Sequence, residues 1–523
     1  MEFGVNGWWL DGGEPDIYPD EILHFNGKTR GEYSNIINLL WLKMLYDGYR
    51  SDFPEMRPFF MTRSGWAGAQ HYGAFPLCGD EARSWLGLKA MLPVMLGASM
   101  SGISYLHSDI GGFAPKDALM HNELYIRWFQ LGTFSPIMRA HRVLPIPAEP
   151  IFYNKKVQNI VRKFIHLRYT FLPYNYTLAY LNTVSGLPLM KPIDFYESDN
   201  KLLHNINDEF LWGSDILVAP ILDSVFQRDF VLPKGKWIDW FTGSVFEGND
   251  KYTMKVPIDR LLLFVHSGAI IPTAEPMSNT MNYKADSLIL HYFPDTSTVN
   301  SSFRMFNDDG NNNNSISENK FEFLDFKSLC KSNEIHFIMT EQSADGKYKS
   351  VDKRNIKLCI HNIPFKPGSI KINSKRIKIE NSFSLIIPDN DYAVFIKKKN
   401  EMWIHLTWNN DSTNIVINNI IDNINTNEKS QMIVVNQPVP NPFVSETKVE
   451  YSINTSAYFV CTIYDIKMRL VDEWNILHNY AGKYYLVWDG KDYDNKPTSA
   501  GFYFLKLYDR MSKKSFVRVL LKK

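Results

Sequence analysis

Two aspartates near the start of the chain have neighbours suited to acid–base work on a sugar. The segment Gly7-Trp8-Trp9-Leu10-Asp11-Gly12-Gly13-Glu14-Pro15 sets one carboxylate behind two tryptophans and ahead of two glycines, which let a backbone come close to a ligand. The segment Pro76-Leu77-Cys78-Gly79-Asp80 presents a second, downstream of the glycine-rich loop Arg63-Ser64-Gly65-Trp66-Ala67-Gly68. Cleaving a glycosidic bond needs two carboxyl groups. One attacks the anomeric carbon and the other protonates the leaving oxygen, about 5–5.5 Å apart in retaining mechanisms. The acid has to be kept neutral by its pocket, and the nucleophile has to stay ionised beside donors or positive charge.

Each of these residues also has a plainer role open to it. An Asp before Gly-Gly is a common turn residue, and Asp80 is placed to cap a helix starting near Glu81. Trp8 and Trp9 suit a core, and His107 and His141 suit hydrogen-bonded structural positions. Neither His107 nor His141 has a partner at metal-ligand spacing. The four cysteines (Cys78, Cys330, Cys359, Cys461) form no CxxC motif and no Cys/His cluster in sequence, so the expectation is no metal site and no disulfide framework. A Gly-x-Ser-x-Gly elbow and a phosphate-cradling Gly-Lys-Ser/Thr loop are absent.

The elements that would have to position these groups change character along the chain. Residues 1–205 alternate short apolar runs with long amphipathic segments. Phe59-Phe60-Met61, Ile103-Ser104-Tyr105-Leu106 and Leu187-Pro188-Leu189-Met190 read as strands, and 32–48, 83–98, 120–131 and 154–181 as helices. In such βα sheets the polar residues just after each strand gather at one end, here Asp11, Arg63 and His107-Ser108-Asp109. From about 206 the pattern becomes short β-rich pieces with turn signals between them. The expected units are a proximal β-sandwich over 206–280, a distal one over 281–420 with Asn311 to Asn314 as an exposed loop, a polar connection over 421–436, and a last sandwich of immunoglobulin-like size over 437–523. A chain of 523 residues has room for three or four domains. Its 57 Lys+Arg against 56 Asp+Glu leave a net charge of +1, which gives no electrostatic footprint for nucleic acid or an anionic membrane. Aromatic residues at 14% suit flat platforms on which sugars stack. The most apolar stretch, Leu86 to Leu106, is interrupted by Lys89 and Pro93 and reads as buried helix and strand, so no membrane span is expected. Met1-Glu2-Phe3-Gly4 lacks the basic and apolar regions of a secretory signal, which leaves open that the chain stays inside or that its start lies further upstream.

These segments occur together and in order. With His-Ser-Asp-Ile-Gly-Gly-Phe (107–113), Asn-Glu-Leu-Tyr-Ile-Arg-Trp (122–128) and Arg-Ala-His (139–141), the series resembles the catalytic half of glycoside hydrolase family 31. The likeness continues through Phe210–Pro220, Lys236–Gly243 and Gly268–Pro272 to about residue 310. The resemblance implies α/β plus all-β architecture: part of a (β/α)8 TIM barrel, about strands 4–8, followed by β-sandwiches. It implies a cofactor-free retaining glycosidase acting on α-glucosidic bonds of α-glucans or oligosaccharides, with water or a second sugar as acceptor. An α-xylosidase, an α-galactosidase and a non-catalytic glycan-binding protein are the alternatives. By position, Asp11 matches the nucleophile and Asp80 the acid/base. Arg63, Asp109 and His141 match groups holding sugar hydroxyls, Trp9 and Phe113 match apolar walls, and Trp66 joins the substrate-binding set. Leu77 stands where the family usually has an aromatic, and His71 where it usually has Arg.

With its nucleophile at residue 11, the chain is expected to be the later portion of a longer enzyme, weak or inactive alone and exposing strand edges and apolar helix faces. Asn441-Pro442-Phe443, Tyr464-Asp465, Val487-Trp488-Asp489-Gly490 and Ala500-Gly501-Phe502-Tyr503 resemble the C-terminal sorting domain of proteins exported by the type IX secretion system. That resemblance implies a secreted or cell-surface location, with the secretion machinery as a partner.

Overall fold

The computed structural model describes residues 5–13, 19–114, 121–224, 227–380, 391–418, 433–453, 457–478, 482–510 and 513–523. Glu14 and Pro15, Lys116 to Met120, and most of the expected 421–436 connection lie outside them.

Three short strands, β1 (Trp8–Leu10), β2 (Phe60–Thr62) and β3 (Ala74–Pro76), form a parallel sheet in that order. The parallel pattern then thins to single bridges, Leu77 with His107 and Ile110 with Ala140. Successive chain segments therefore point their C-terminal ends in one direction, which is what a βα sheet requires of a shared site.

The helices are α1 (Arg30–Tyr33), α2 (Ile37–Asp52), α3 (Trp85–Met100), α4 (Asn122–Thr133), α5 (Lys155–Thr170) and α6 (Leu172–Ser185). Thr29 and Glu32 make a reciprocal capping box on α1, and the Ser84 hydroxyl accepts from Gly87 N–H to cap α3. Asp80 is thus not that helix's cap, contrary to one expectation.

Two further expectations are corrected here. The span 154–181 is two helices that meet at Phe171. Pro173 sits in the first turn of α6, where its missing N–H costs nothing, whereas one continuous helix would set its ring against the Tyr169 carbonyl. Ile103–Leu106 is turn and coil: Ile103 N–H bonds the Ala98 carbonyl at 2.9 Å, so its backbone completes the end of α3 before any strand can use it.

A six-stranded sheet follows. It comprises β4 (Met190–Lys191), β5 (Phe210–Trp212), β6 (Ile216–Ala219), β8 (Lys236–Asp239), β9 (Val245–Glu247) and β11 (Leu262–His266), in spatial order β4-β5-β6-β11-β8-β9. Beside it β7 (Gln227–Leu232) pairs with β10 (Asp250–Lys255). The sheet reaches back to Met190, ahead of the expected boundary. Trp212, Ile216, Val218 and Leu263 share one core with Trp128, Phe129, Val161 and Phe164 of the helices. Buried Arg127 on α4 fastens the two layers by donating to the carbonyls of Val256 (3.0 Å), Pro257 (3.2 Å) and Arg260 (3.1 Å).

Two six-stranded sheets form the distal sandwich, and Ile270–Thr273 already belongs to it through its pairing with Ser287–Tyr292. Asn311 to Asn314 is not a free loop. Asn312 bridges Met56, Asn313 N–H bonds Glu55 O at 2.8 Å, and Arg57 reaches Asn312 O at 3.0 Å and the buried Asp308. The last unit has a three-stranded and a four-stranded sheet around Phe443, Phe459, Trp488 and Leu505, with Ile433–Val435 as an edge strand inside the span expected as a connection. Trp8, Trp9, Leu40 and Met44 are exposed, and the outer edge of β1 has no strand partner among the described residues. No helix among the described residues is long and apolar enough to cross a membrane.

Candidate active site

Asp11 follows β1, Arg63 follows β2 and Asp80 follows β3 by four residues, all at the same end of the parallel sheet. Arg63 N–H donates to Leu10 O at 3.2 Å, and Leu77 N–H to Thr62 O at 2.8 Å, so the ladder continues past the strands and holds each loop beside the next. The Arg63 guanidinium stands between the two aspartates, its Nη1 3.6 Å from Asp11 Oδ1 and 4.0 Å from Asp80 Oδ2. Asp11 also accepts the Gly12 N–H at 3.0 Å. Asp80 adopts a left-handed backbone with φ 46°, a conformation Asp tolerates better than most residues and one that turns its side chain out of the strand direction. Each aspartate side chain is 57% exposed, so among the described residues neither carboxylate is enclosed.

Asp109, in contrast, is buried and ion-paired with Arg139. Its backbone N–H bonds Glu81 Oε1. Burial pushes the Asp109 carboxyl up to about 6, with Arg139 opposing and Asp80 and Asp11 adding to the rise. Glu81 is pushed up to about 7, first by burial and then by the nearby Asp109. His107, buried and 3.3 Å from Arg139 Nε, is held down to about 4 by burial and then by that guanidinium. His141 is lowered for the same two reasons.

The aromatic residues meet around His141. Phe113 stacks on it at 5.3 Å, Trp9 meets it edge-on at 5.1 Å, and the Arg139 guanidinium lies over Trp9 at 5.3 Å. Trp66 lies apart in the loop after Arg63, 42% exposed, with no ring contact to this group among the described residues. The loop carrying Asp109 is pinned by a hydrogen bond from Trp128 Nε1 to Ser108 Oγ at 2.9 Å. Gly112 (φ 78°) passes so close to Arg83 that a Cβ would lie 2.5 Å from its Cα, which explains the Gly-Gly pair there.

The structure therefore gathers Asp11, Arg63 and Asp80 as one group, and Trp9, Asp109, Phe113 and His141 as another joined through Arg139. Sequence reasoning missed Arg139 and Glu81. Arg139 was detectable, since it alternates with His141 on an extended segment that bridges Ile110, and alternate residues share a face. Glu81 carried no periodic signal. No Cys/His cluster was expected, yet Cys359 and His361 stand two apart in the chain and the distal sandwich brings His291 to them through strand pairing, which sequence spacing does not record.

Comparison with known proteins covers the same stretch of chain. Residues 1–178 match the glycosyl hydrolases family 31 TIM-barrel domain, and 186–271 match the glycosyl hydrolase family 31 C-terminal domain. The α-xylosidase of Saccharolobus solfataricus is 32% identical over 320 residues, covering 59% of this chain and 43% of that protein. Alpha-glucosidase 2 of Bacillus thermoamyloliquefaciens is 32% identical over 290 residues, covering 53% and 36% respectively. The structure of a GH31 dextranase from Flavobacterium johnsoniae complexed with glucose superposes with a TM-score of 0.75 at 28% identity, over 80% of this chain and 53% of that one. The chain thus spans less than half the length of these two relatives and about half of the dextranase. With two matched family domains in sequence and the carboxylates of the first set around one arginine, this chain belongs to glycoside hydrolase family 31.

Proposed function

We propose that the chain carries the reacting carboxylates of a retaining glycosidase for α-glucosides or α-xylosides. Asp11 is the nucleophile and Asp80 the general acid/base. The observation that carries the reading is the shared guanidinium: Arg63 approaches both aspartates at the C-terminal ends of successive parallel segments. A guanidinium there holds the Asp11 carboxylate in place against a ring at the anomeric carbon. Asp11 Oδ attacks that carbon while the Asp80 proton passes to the leaving oxygen. A water or a sugar hydroxyl, deprotonated by Asp80, then releases the glycosyl group from Asp11. Trp9, Phe113 and His141 form a wall for the ring, Asp109 is held for hydroxyl recognition by Arg139, and Trp66 offers a separate exposed ring in the loop after Arg63. No cofactor enters this chemistry. Relatives named α-glucosidase and α-xylosidase support both sugars.

The experiment is covalent trapping with 5-fluoro-α-glucosyl and 5-fluoro-α-xylosyl fluorides, followed by peptide mass spectrometry. A label on the peptide holding Asp11, lost in Asp11→Ala, is the expected result. A label elsewhere, or undiminished turnover in Asp11→Ala, overturns the assignment.

For the last unit, the motifs around Asn441 and Gly501 support a role in type IX export and a secreted or cell-surface location. Deleting 431–523 from the gene product should abolish export, and unchanged export would reject that role.

A further inference from the structure

Away from the sheet end described above, three side chains of metal-binding type converge in the distal sandwich. His291 lies on the strand Ser287–Tyr292 and Cys359 on Arg354–Ile360. These strands pair in parallel with His291 directly opposite Cys359, so both side chains leave the same face. His361 follows the second strand, and its backbone N–H bonds Tyr292 O at 2.9 Å, which brings its ring back over that face. His291 Nδ1 and His361 Nε2 are 2.9 Å apart, and one ligand atom from each of the three residues lies within 4.8 Å of the others.

The surroundings orient these rings. Phe293 stacks on His361 at 4.2 Å with an interplanar angle of 3°, and Trp240 packs against His291 at 4.9 Å. On the far side of His361, Glu401 Oε1 faces Nδ1 at 3.7 Å, and Glu401 is itself held by the Trp403 indole N–H at 2.9 Å. The carboxylate is 3.7 Å away, beyond hydrogen-bond length but on the outer nitrogen, where a small closure would let it accept from Nδ1–H while Nε2 faces His291. Cys359 is fully buried and is a free thiol, while His361 and Glu401 keep 14% of their side-chain surface, so solvent reaches one side of the cluster.

We infer that His291 Nδ1, Cys359 Sγ and His361 Nε2 form a binding site for a borderline-soft divalent cation of the zinc class, with Glu401 orienting His361 and water completing the coordination. One thiolate and two imidazoles are a donor set that zinc and cobalt(II) accept and that magnesium and calcium do not. Two nitrogens at about 2.0–2.1 Å from a tetrahedral ion lie about 3.3 Å apart, so the imidazole pair has to open by about 0.4 Å. The proton shared between the rings moves to His291 Nε2, the Cys359 thiol proton leaves to solvent, and the ion takes the freed lone pairs. The site joins two adjacent strands at the place where Trp240 of the preceding sheet region packs against them, so an ion there would staple the distal sandwich at its junction.

The test uses the whole chain, stripped with a chelator and titrated with cobalt(II) and then zinc. About one equivalent of cobalt should bind with a near-ultraviolet thiolate-to-cobalt band that zinc abolishes, and zinc should raise the midpoint of thermal unfolding. Cys359→Ser and His361→Ala should lose the band, and Glu401→Gln should bind roughly 10–100-fold more weakly. Circular dichroism identifies any variant that fails to fold, and the partly buried His291→Gln then supplies the reading. A folded, reduced wild-type chain that shows no band, or a band that survives in Cys359→Ser or His291→Gln, overturns the site.

Discussion

Arg63 serves two acids at once, and removing it tests more than one contact. Without the guanidinium, Asp11 and Asp80 lose the cation that approaches both side chains and with it the tie between their loops. Arg63→Met should slow covalent trapping at Asp11 on the order of a hundredfold with an unchanged far-ultraviolet spectrum; trapping at the wild-type rate would assign the arginine no part in the chemistry. Glu81 makes a separate prediction about pH. Its carboxyl rises from 4.5 to about 7 in the folded protein, because burial and Asp109 disfavour its charge. The unfolded chain therefore holds fewer protons between those values, and stability falls as pH climbs from about 4.5 to 7. Glu81→Gln keeps an acceptor for Asp109 N–H and should flatten that decline in a series of thermal melts. At this scale the sequence was informative about residue type and order and silent about burial: it marked Asp11, Arg63 and Asp80, while the opposing environments of Asp80 and Asp109 follow from which loop lies beneath which.

Among the elements, α3 and α4 set the site through their ends and faces. Ser84 starts α3 four residues after Asp80, so the cap limits how far the Asp80 loop can drift. Ser84→Ala should cost about 1 kcal/mol by chemical denaturation, through the orphaned Gly87 N–H. Arg127 carries more: it is buried in α4 and its donors satisfy three carbonyls ahead of β11. Arg127→Met would leave those carbonyls dry, and a loss of at least about 3 kcal/mol is expected from the same measurement. The signals for α3 and α4 were legible to within two residues and that for α2 to within five; α2 and α3 bury a stripe, whereas α4 is buried all round from Leu124 to Thr133. The Phe171 break and the loss of a strand at Ile103–Leu106 were not legible. Apolar runs of four residues do not distinguish strand from the end of a helix, and a proline is read as a start or a break only once the preceding turn is known.

On the scale of the molecule, Arg57 ties the loop after α2 to the distal sandwich. Asp308 is fully buried, bonded by Arg57, by Ser315 at 2.8 Å and by Tyr176 at 2.6 Å, so the pairing spans three regions of chain. Arg57→Leu strands that carboxylate and should cost roughly 3 kcal/mol, with faster hydrogen exchange over 308–315; exchange unchanged there would mean that the regions hold together by other contacts. The chemistry-bearing segments, the order of helical and β-rich regions, and the family those segments spell out were all legible in residue type and local period. Folding alone places one arginine beside both Asp11 and Asp80, makes Asn312 an anchor, and brings His291 to Cys359 and His361. Those outcomes depend on strand register and on loops converging from distant positions, and register is set by how whole faces bury, which no local spacing records.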